Sequence, residues 1–567
     1  MKSRALWLSM VLTLSLTAFG QDTGSVTGTV TDPSGAAVSG APVTLSSAER
    51  GIDRSTTTNE SGDYLFGAMG SGSYDLVIVA PGFKKYQAKG VKLQVGQKAR
   101  VDVALQVGGA NTEVTVEGSS VAQVETQSSD LSGTVSGKEI TQLELNGRNF
   151  TQLATLVPGV SNQSGQDDAS VGVGGNVSFS MNGGRTEYNN WELDSGDNMD
   201  NGSNTTLNVY PSLEAIAEFK VLTSNYGAQY GRNGSGTVEV ETKSGTRSFH
   251  GNAYEFVRND IFNANTFPQS TVPPYKKNDF GYTIGGPVYI PGLYNKDRSK
   301  TFFFWSQEWR RDRVPANLGS VTVPSLAERN GDFSDVCPGA DCPQMNGPGT
   351  PFPGNIIPID PNATALMLEI PEPTQGGNTW NAAPTLPTNW REELIRVDHN
   401  FSDKVRGTFR YIHDSWNQIY PTPLWTNGTS FPTIRTNFGG PGVSMVARLT
   451  ATVSPTLLNE FVASYTTDHI TLIPVGAWQR PASMTFGLFP GADAGKIPGI
   501  SLGGGGVFNF QEDVGYLPNG PYNSNPTYTY RDNLTKIIGK HNLVFGGYFV
   551  AARRMNWQRP ERPRTAC

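Results

Sequence analysis

The chain has 567 residues, with 65 Gly, 37 Pro and 17% charged residues, where an ordinary globular domain carries about 25% charge. Its hydrophobic fraction of 37%, with 10 Trp, 20 Tyr and 27 Phe, is too high for a disordered chain. No run past the N-terminus approaches the ~20 apolar residues of a spanning helix, and a net charge of −6 without a long basic block leaves a nucleic-acid partner no electrostatic footprint.

Lys2 and Arg4 lead into an apolar run from Ala5 to Leu16, followed by the small-residue cleavage pattern Thr17-Ala18-Phe19-Gly20. Residues 1–20 are expected to be a secretory signal peptide, the run being too short for an anchor. In an exported chain, Cys337 and Cys342 are candidates for a small loop disulfide. Cys567 has no evident partner.

Residues 24–108 alternate short β-prone runs with turn residues: Val26-Thr27-Gly28-Thr29-Val30 before Asp32-Pro33-Ser34-Gly35, Val43-Thr44-Leu45, Asn59-Glu60-Ser61-Gly62 before Tyr64-Leu65-Phe66, Tyr74 to Val79, and a last strand near Ala99 to Leu105. About seven strands at this spacing predict a small β-sandwich. Gly28-Thr29-Val30-Thr31-Asp32, Ala41-Pro42-Val43-Thr44-Leu45 and Asn59 to Tyr64 resemble the carboxypeptidase regulatory-like domain, a transthyretin-like sandwich. The resemblance implies an accessory module rather than a peptidase.

Gly108-Gly109-Ala110-Asn111 opens a linker over 109–129 holding one β-prone run, Thr112, Glu113, Val114, Thr115 and Val116, then Glu117. Such a strand can add to the sheet edge of a partner, or serve as a tether or an eighth sandwich strand.

In residues 130–246, Asn146 to Val160 reads as a short helix after a turn, with Leu153, Leu156 and Val157 on one face and Pro158-Gly159 ending it. Ser212 is expected to cap a second helix, with Glu214 in its first turn, running through Ile216 and Ala217. The strand Phe219-Lys220-Val221-Leu222 follows, then Tyr226-Gly227, a Gly-rich turn and Val238-Glu239-Val240-Glu241-Thr242-Lys243. This order resembles the plug domain of TonB-dependent outer-membrane receptors. Leu145 to Phe150, Met181-Asn182-Gly183-Gly184-Arg185 and Trp191-Glu192-Leu193-Asp194 are similar to the Oar-like branch, in which a regulatory-like sandwich precedes the plug. The resemblance implies that residues 112–116 are a TonB box, grasped by the energy-coupling protein TonB. It also implies that Arg185, Glu187, Tyr188 and Trp191 face a substrate or tie the plug to its surroundings.

Residues 247–567 are expected to begin an antiparallel transmembrane β-barrel. Phe280, Tyr282 and Ile284 alternate with Gly281, Thr283 and Gly285; Phe409 and Tyr411 with Thr408 and Arg410; Val443, Met445, Ala447 and Leu449 with Ser444 and Arg448. An apolar face opposite a polar one suits a lipid-facing barrel, though the same period describes a soluble sandwich. The Pro-, Gly- and Asn-rich stretch from Val321 to Asn389 reads as extracellular loop. Transporters of this class need ~22 strands, and this region supplies about ten to twelve of ~9–11 residues. With no terminal aromatic strand before Cys567, a truncated or frameshifted reading frame is expected. The fold class is thus mainly β: sandwich, α+β plug, partial barrel.

Enzymatic chemistry has little support. The five histidines (His250, His399, His413, His469, His541) show no metal spacing, and no P-loop or complete dinucleotide fingerprint is present. Gly499-Ile500-Ser501-Leu502-Gly503 matches a nucleophile elbow but runs into further glycines, where no helix can start. Asp194, Asp197, Asn198 and Asp200 offer calcium-type oxygens, but without EF-hand spacing the pattern is better read as a solvated Asp/Asn/Gly loop. The sequence therefore implies no enzyme and no cofactor. It implies an outer-membrane receptor and transporter with three partners: TonB, membrane lipid and an unidentified siderophore, glycan or peptide. A surface adhesin or glycan-binding β-protein is the alternative.

Overall fold

A computed structural model describes residues 24–47, 52–109, 112–117, 128–163, 171–264, 272, 274–315, 320–339, 342–345, 349–374, 377–381, 384–421, 433–476, 482–483, 522–538 and 541–557. The expected signal peptide, linker residues 118–127, the 499–503 motif and Cys567 lie outside the described residues.

Turn residues cut the first segment into β1 (Gly24–Thr31), β2 (Pro42–Ser47), β3 (Ile52–Thr57), β4 (Asp63–Met69), β5 (Gly72–Ile78), β6 (Lys85–Leu93) and the short β7 (Lys98–Arg100) and β8 (Val103–Ala104). The strand expected at 99–105 is divided between these last two. One sheet holds β4, β1, β7 and β8; the other runs β3-β2-β5-β6-β9, where β9 is Glu113–Glu117. Alternate residues such as Val26, Val43, Leu45, Tyr64 and Leu76 meet between the sheets in one apolar core. Gly28 sits where a Cβ would lie 1.9 Å from the Val101 carbonyl oxygen, so only glycine admits the β1 crossing there. The Tyr64 hydroxyl, fully buried, donates to that same oxygen at 2.7 Å.

The middle segment builds β10 (Leu131–Ser136), β11 (Val160–Asn162), β12 (Phe179–Met181), β13 (Asn190–Leu193), β14 (Gly196–Asp197), β15 (Ile216–Ser224) and β16 (Thr237–Thr242). Five of them form a sheet in the order β10-β15-β16-β13-β14. Its one α-helix, α1 (Gly137–Gln142), starts on a capping box between Ser136 and Glu139. Neither expected helix is α-helical: the first is two 3₁₀ segments, Asn146–Arg148 and Phe150–Leu156, and the second is one, Leu213–Ala215. Phe150–Leu156 is capped by Asn149; Leu153 and Val157 are buried, but Leu156 is exposed. Leu213–Ala215 lacks a Ser212 side-chain cap, and Ile216 already opens β15. The Ser212 hydroxyl is spent on Ser306 at 3.0 Å. Phe150, Trp191 and Phe219 make edge and tilted ring contacts at the centre of this domain.

The last segment forms long antiparallel strands: β17 (His250–Asn259), β18 (Lys276–Pro287), β19 (Thr301–Pro315), β22 (Thr385–Asn400), β23 (Val405–Tyr420), β24 (Ile434–Gly439), β25 (Gly442–Ser454), β26 (Leu457–Gly476), β27 (Tyr522–Ser524), β28 (Thr527–Ile538), β29 (His541–Ala552) and β30 (Met555–Trp557). Together they make one twelve-stranded sheet; among the described residues β17 pairs only with β18 and β29 only with β28, so the sheet is open. The stretch expected to be loop from Val321 to Asn389 is more structured. It holds a two-stranded pair, β20 (Ser320–Thr322) with β21 (Thr379–Asn381), the helix α2 (Pro361–Met367) and a Cys337–Cys342 disulfide. The wall strand β22 begins already at Thr385.

This sheet wraps the middle domain, touching it from β17, where Asn252 donates to Glu214 at 2.8 Å, to β28, where Arg531 pairs with Glu192. Its polarity is inverted relative to a soluble sandwich. Phe409 is 46% exposed while its neighbour Arg410 is 0% exposed, and Tyr530 and Arg531 repeat the pattern at 46% and 3%. The sandwich docks against one end of the wall: Leu65 is buried outside the sandwich's own core, against Leu458 and Ile537.

Candidate functional site

The middle domain meets the wall at a hairpin tip. β13 and β14 are joined by Asp194 and Ser195, both at positive φ (50° and 69°), the signature of a type I′ turn matched to strand twist. Asp tolerates that region better than most residues, and here its side chain is also fixed. Asp194 accepts the Thr242 N–H at 2.9 Å, Arg410 Nε at 3.0 Å and Arg396 Nη1 at 3.3 Å. Arg410 also donates to the Leu193 carbonyl at 3.0 Å, and Arg448 to the Ser195 hydroxyl at 2.8 Å. Burial pulls the Asp194 carboxyl up, yet Arg396, Arg410 and the Thr242 N–H outweigh it and hold the group below the ordinary carboxylate value. Arg396 and Arg410 are register partners on β22 and β23, so the wall presents two cations side by side. Gly196 completes the fit, since a Cβ there would lie 2.7 Å from Val446 Cγ2 and 2.9 Å from Ser464 Cβ.

Four residues farther along the strands on the same inner face, the sign of the charge reverses from that arginine pair. Glu308, Glu392 and Asp414 are register partners across β19, β22 and β23, each no more than 1% exposed. Glu308 is satisfied by Arg310 Nε at 2.8 Å and the Tyr254 hydroxyl at 2.6 Å, and Asp414 accepts the Tyr210 N–H at 2.6 Å. A basic grip and an acidic row on one wall fix how the enclosed domain sits.

The sequence-level candidates separate. Trp191 is 1% exposed in the aromatic core, so it faces no ligand; its position in β13, between β16 and β14, turns it inward. Arg185, Glu187 and Tyr188 are exposed around the 3₁₀ turn Thr186–Tyr188, with Arg185 Nη1 3.5 Å from the Tyr188 hydroxyl. The calcium-type set comes apart as well. Asp194 is clamped by arginines, Asp197 pairs with Arg232, the Asn198 amide is spent on the Val209 carbonyl, and Asp200 faces the wall at Asn525 instead of its three companions. Among the described residues no three acidic, His or Cys side chains converge as a metal cluster. Of the 112–116 run, Glu113 to Val116 lie in β9, at the sandwich edge and parallel to β6, with Val114 opposite Tyr86 and Val116 opposite Ala88. This matches the extra-strand alternative for that segment.

The gripping residues Arg396, Arg410, Arg448 and Arg531 were not singled out from sequence. Their signal was an arginine on the polar face of an alternating strand. A cleft of about 1400 Å³ opens where the three parts meet, lined by Arg54 and Gln94 of the sandwich, Glu139 and Glu218 of the middle domain, and Phe302 and Arg406 of the wall. Glu218 bridges this junction by accepting the Val95 N–H at 3.1 Å.

The outer membrane beta barrel domain family matches residues 241–565, more than half of the chain, and the carboxypeptidase regulatory-like domain family matches residues 25–106. A curated relative, the TonB-dependent transporter Oar of Myxococcus xanthus, is 25% identical over 310 residues, covering 52% of this chain and 27% of the relative. The chain thus matches about a quarter of that relative's length. Among solved structures, the outer membrane transporter YddB of Escherichia coli aligns with a TM-score of 0.44 at 11% identity, over 74% of this chain and 48% of the other. The siderophore receptor PirA of Acinetobacter baumannii aligns at 0.41 and 11%, over 75% and 48%.

Proposed function

Because the chain belongs to the outer membrane beta barrel domain family, we propose that it is the sandwich, plug and first wall strands of a TonB-dependent outer-membrane transporter. The observation that carries this reading is the wall's inverted polarity: phenylalanines and tyrosines exposed on one face, arginines and carboxylates buried against an enclosed domain on the other. Hydrocarbon rewards such an outer face, whereas water penalises it.

The enclosed domain is read as the plug, and the Asp194 grip as what keeps it seated until energy is supplied. An outer membrane holds no ATP, so uphill import requires a mechanical link to the inner membrane. The 112–116 strand is the candidate link. In β9 it lies at the edge of its sheet, where a partner strand can add through main-chain hydrogen bonds. Pulling on it would remodel the plug and open a path for a siderophore, glycan or peptide.

The test is site-directed disulfide cross-linking in cells between Val114→Cys or Val116→Cys and cysteines placed along the C-terminal domain of TonB. Cross-links at these positions, absent from cysteines placed in β3 of the sandwich, are expected. Their absence, with surface adhesion retained after deletion of 112–116, would favour the adhesin alternative.

A further inference from the structure

The acidic row on the inner wall does not end at Asp414. Its register partner on β25 is Gly442, and the partner of Gly442 on β26 is Asp468. Gly442 has no side chain because the plug occupies that place: a Cβ there would lie 1.8 Å from the Asn208 carbonyl oxygen. Asp468 is 0% exposed, and neither of its carboxylate oxygens has a hydrogen-bond partner.

The groups facing Asp468 are polar. The Asp200 carboxylate of the plug and the Asn525 side chain lie beside it, and Asn525 follows Ser524, which pairs with His469. The Asn525 Nδ2 donates to Asp200 Oδ1 at 2.7 Å, which leaves Asn525 Oδ1 buried and unpartnered. Asn208, 2% exposed, likewise spends its Nδ2 on the Met199 carbonyl and keeps an unpartnered Oδ1. Arg232, which reaches this loop from residues beyond β15, is engaged with Asp197 and Asn201. Two buried carboxylates with amide oxygens and, among the described residues, no paired cation carry a large desolvation cost, and a hard divalent cation removes it, since calcium takes six to eight oxygens without strict geometry.

We propose that Asp468 and Asp200, with the side-chain oxygen of Asn525 brought in by a turn of its amide, form a calcium site that bridges plug and wall. The plug loop beside it reaches solvent: Gly202 and Ser203 are exposed, the Gly202 N–H donates to Asp200 Oδ1 at 2.8 Å and the Ser203 hydroxyl to Oδ2 at 2.7 Å. That loop supplies the entry path. The bridge lies on β26, next to the β25 strand that carries Arg448, so the plug is held by cations of the wall at one point and by a shared metal at another.

The test uses the full chain purified in detergent, with calcium chloride as the probe. Calorimetric titration is expected to give one saturable calcium per chain, and calcium is expected to raise the unfolding temperature relative to EDTA, with magnesium giving a smaller shift. Asp468→Asn, an isosteric change that removes one buried charge, is expected to fold, to be at least as stable as the parent in EDTA, and to lose the calcium shift. Asn525→Leu is expected to weaken binding while leaving the EDTA unfolding temperature unchanged or raised. Absence of any calcium-dependent shift in the parent would overturn the site; a shift that survives Asp468→Asn would overturn the ligand assignment.

Discussion

Arg410 Nε donates to Asp194 Oδ2 at 3.0 Å across 216 residues of sequence, with both side chains essentially without solvent exposure. One residue of a middle-domain hairpin and one of a wall strand thereby share a charge pair that neither segment can satisfy alone. Asp194→Ala would leave Arg410 buried with no carboxylate, a loss of about 3–5 kcal/mol. Hydrogen exchange in β13 and β16 is expected to accelerate in this variant while that of the sandwich strands stays unchanged.

The hairpin tip is also fitted by shape. Gly196→Ala sets a methyl 2.7 Å from Val446 Cγ2, and overpacking of this kind costs about 1–3 kcal/mol. The second-site change Val446→Ala removes the opposing methyl and is expected to recover most of that loss in urea unfolding. Failure to recover would place the strain at Ser464 or in the backbone.

Sandwich docking rests on Leu65, which packs on Leu458 and Ile537 and belongs to no other core. Leu65→Asp is therefore expected to release the sandwich from the wall without unfolding it. Fluorescence transfer between labels on the sandwich and on the β25–β26 turn should fall, while the circular dichroism of the sandwich expressed alone should match the parent.

The same junction carries a pH dependence. Burial, with the Glu241 carboxylate adding to it, pushes the Glu218 carboxyl up to about 7 against the opposing contributions of the Ser71 hydroxyl, the Val95 N–H and Lys220. A carboxyl whose docked value is raised binds its proton more tightly when docked. Its contribution is complete below the ordinary value near 4.5 and is lost as pH rises through about 7. Docking by the same fluorescence assay is expected to weaken over that window, and Glu218→Gln should flatten the dependence.

How much of this was legible in sequence follows from the range of the interactions involved. The period-two alternation of Phe280, Tyr282 and Ile284 against Gly281 and Thr283 is local and identifies a strand with two unlike faces. Which face meets water is not local, and the burial of Arg410 beside an exposed Phe409 became evident only with the enclosed domain in place. Trp191 looked like a binding residue because it is aromatic amid polar neighbours, yet its ring is core to Phe150, Phe179 and Phe219. Asp194 and Asp197 resembled cation ligands because their arginine partners lie far away or downstream in the chain. Segments of three to seven residues, such as Leu213–Ala215, are too short for periodicity to separate an α-helix from a 3₁₀ turn.

The central claim is that the apolar face of the twelve-stranded sheet meets lipid while its charged face encloses the plug. Nitroxide labels at Phe409→Cys, Met445→Cys and Tyr530→Cys, in outer-membrane vesicles, measure this by the ratio of collisions with oxygen to collisions with a water-soluble nickel chelate. The account predicts that oxygen dominates at all three, and that labels at the loop residues Gly202 and Ser203 favour the chelate. Chelate collisions dominating at 409, 445 and 530 would mean that this face is bathed in water, and the membrane reading would be contradicted.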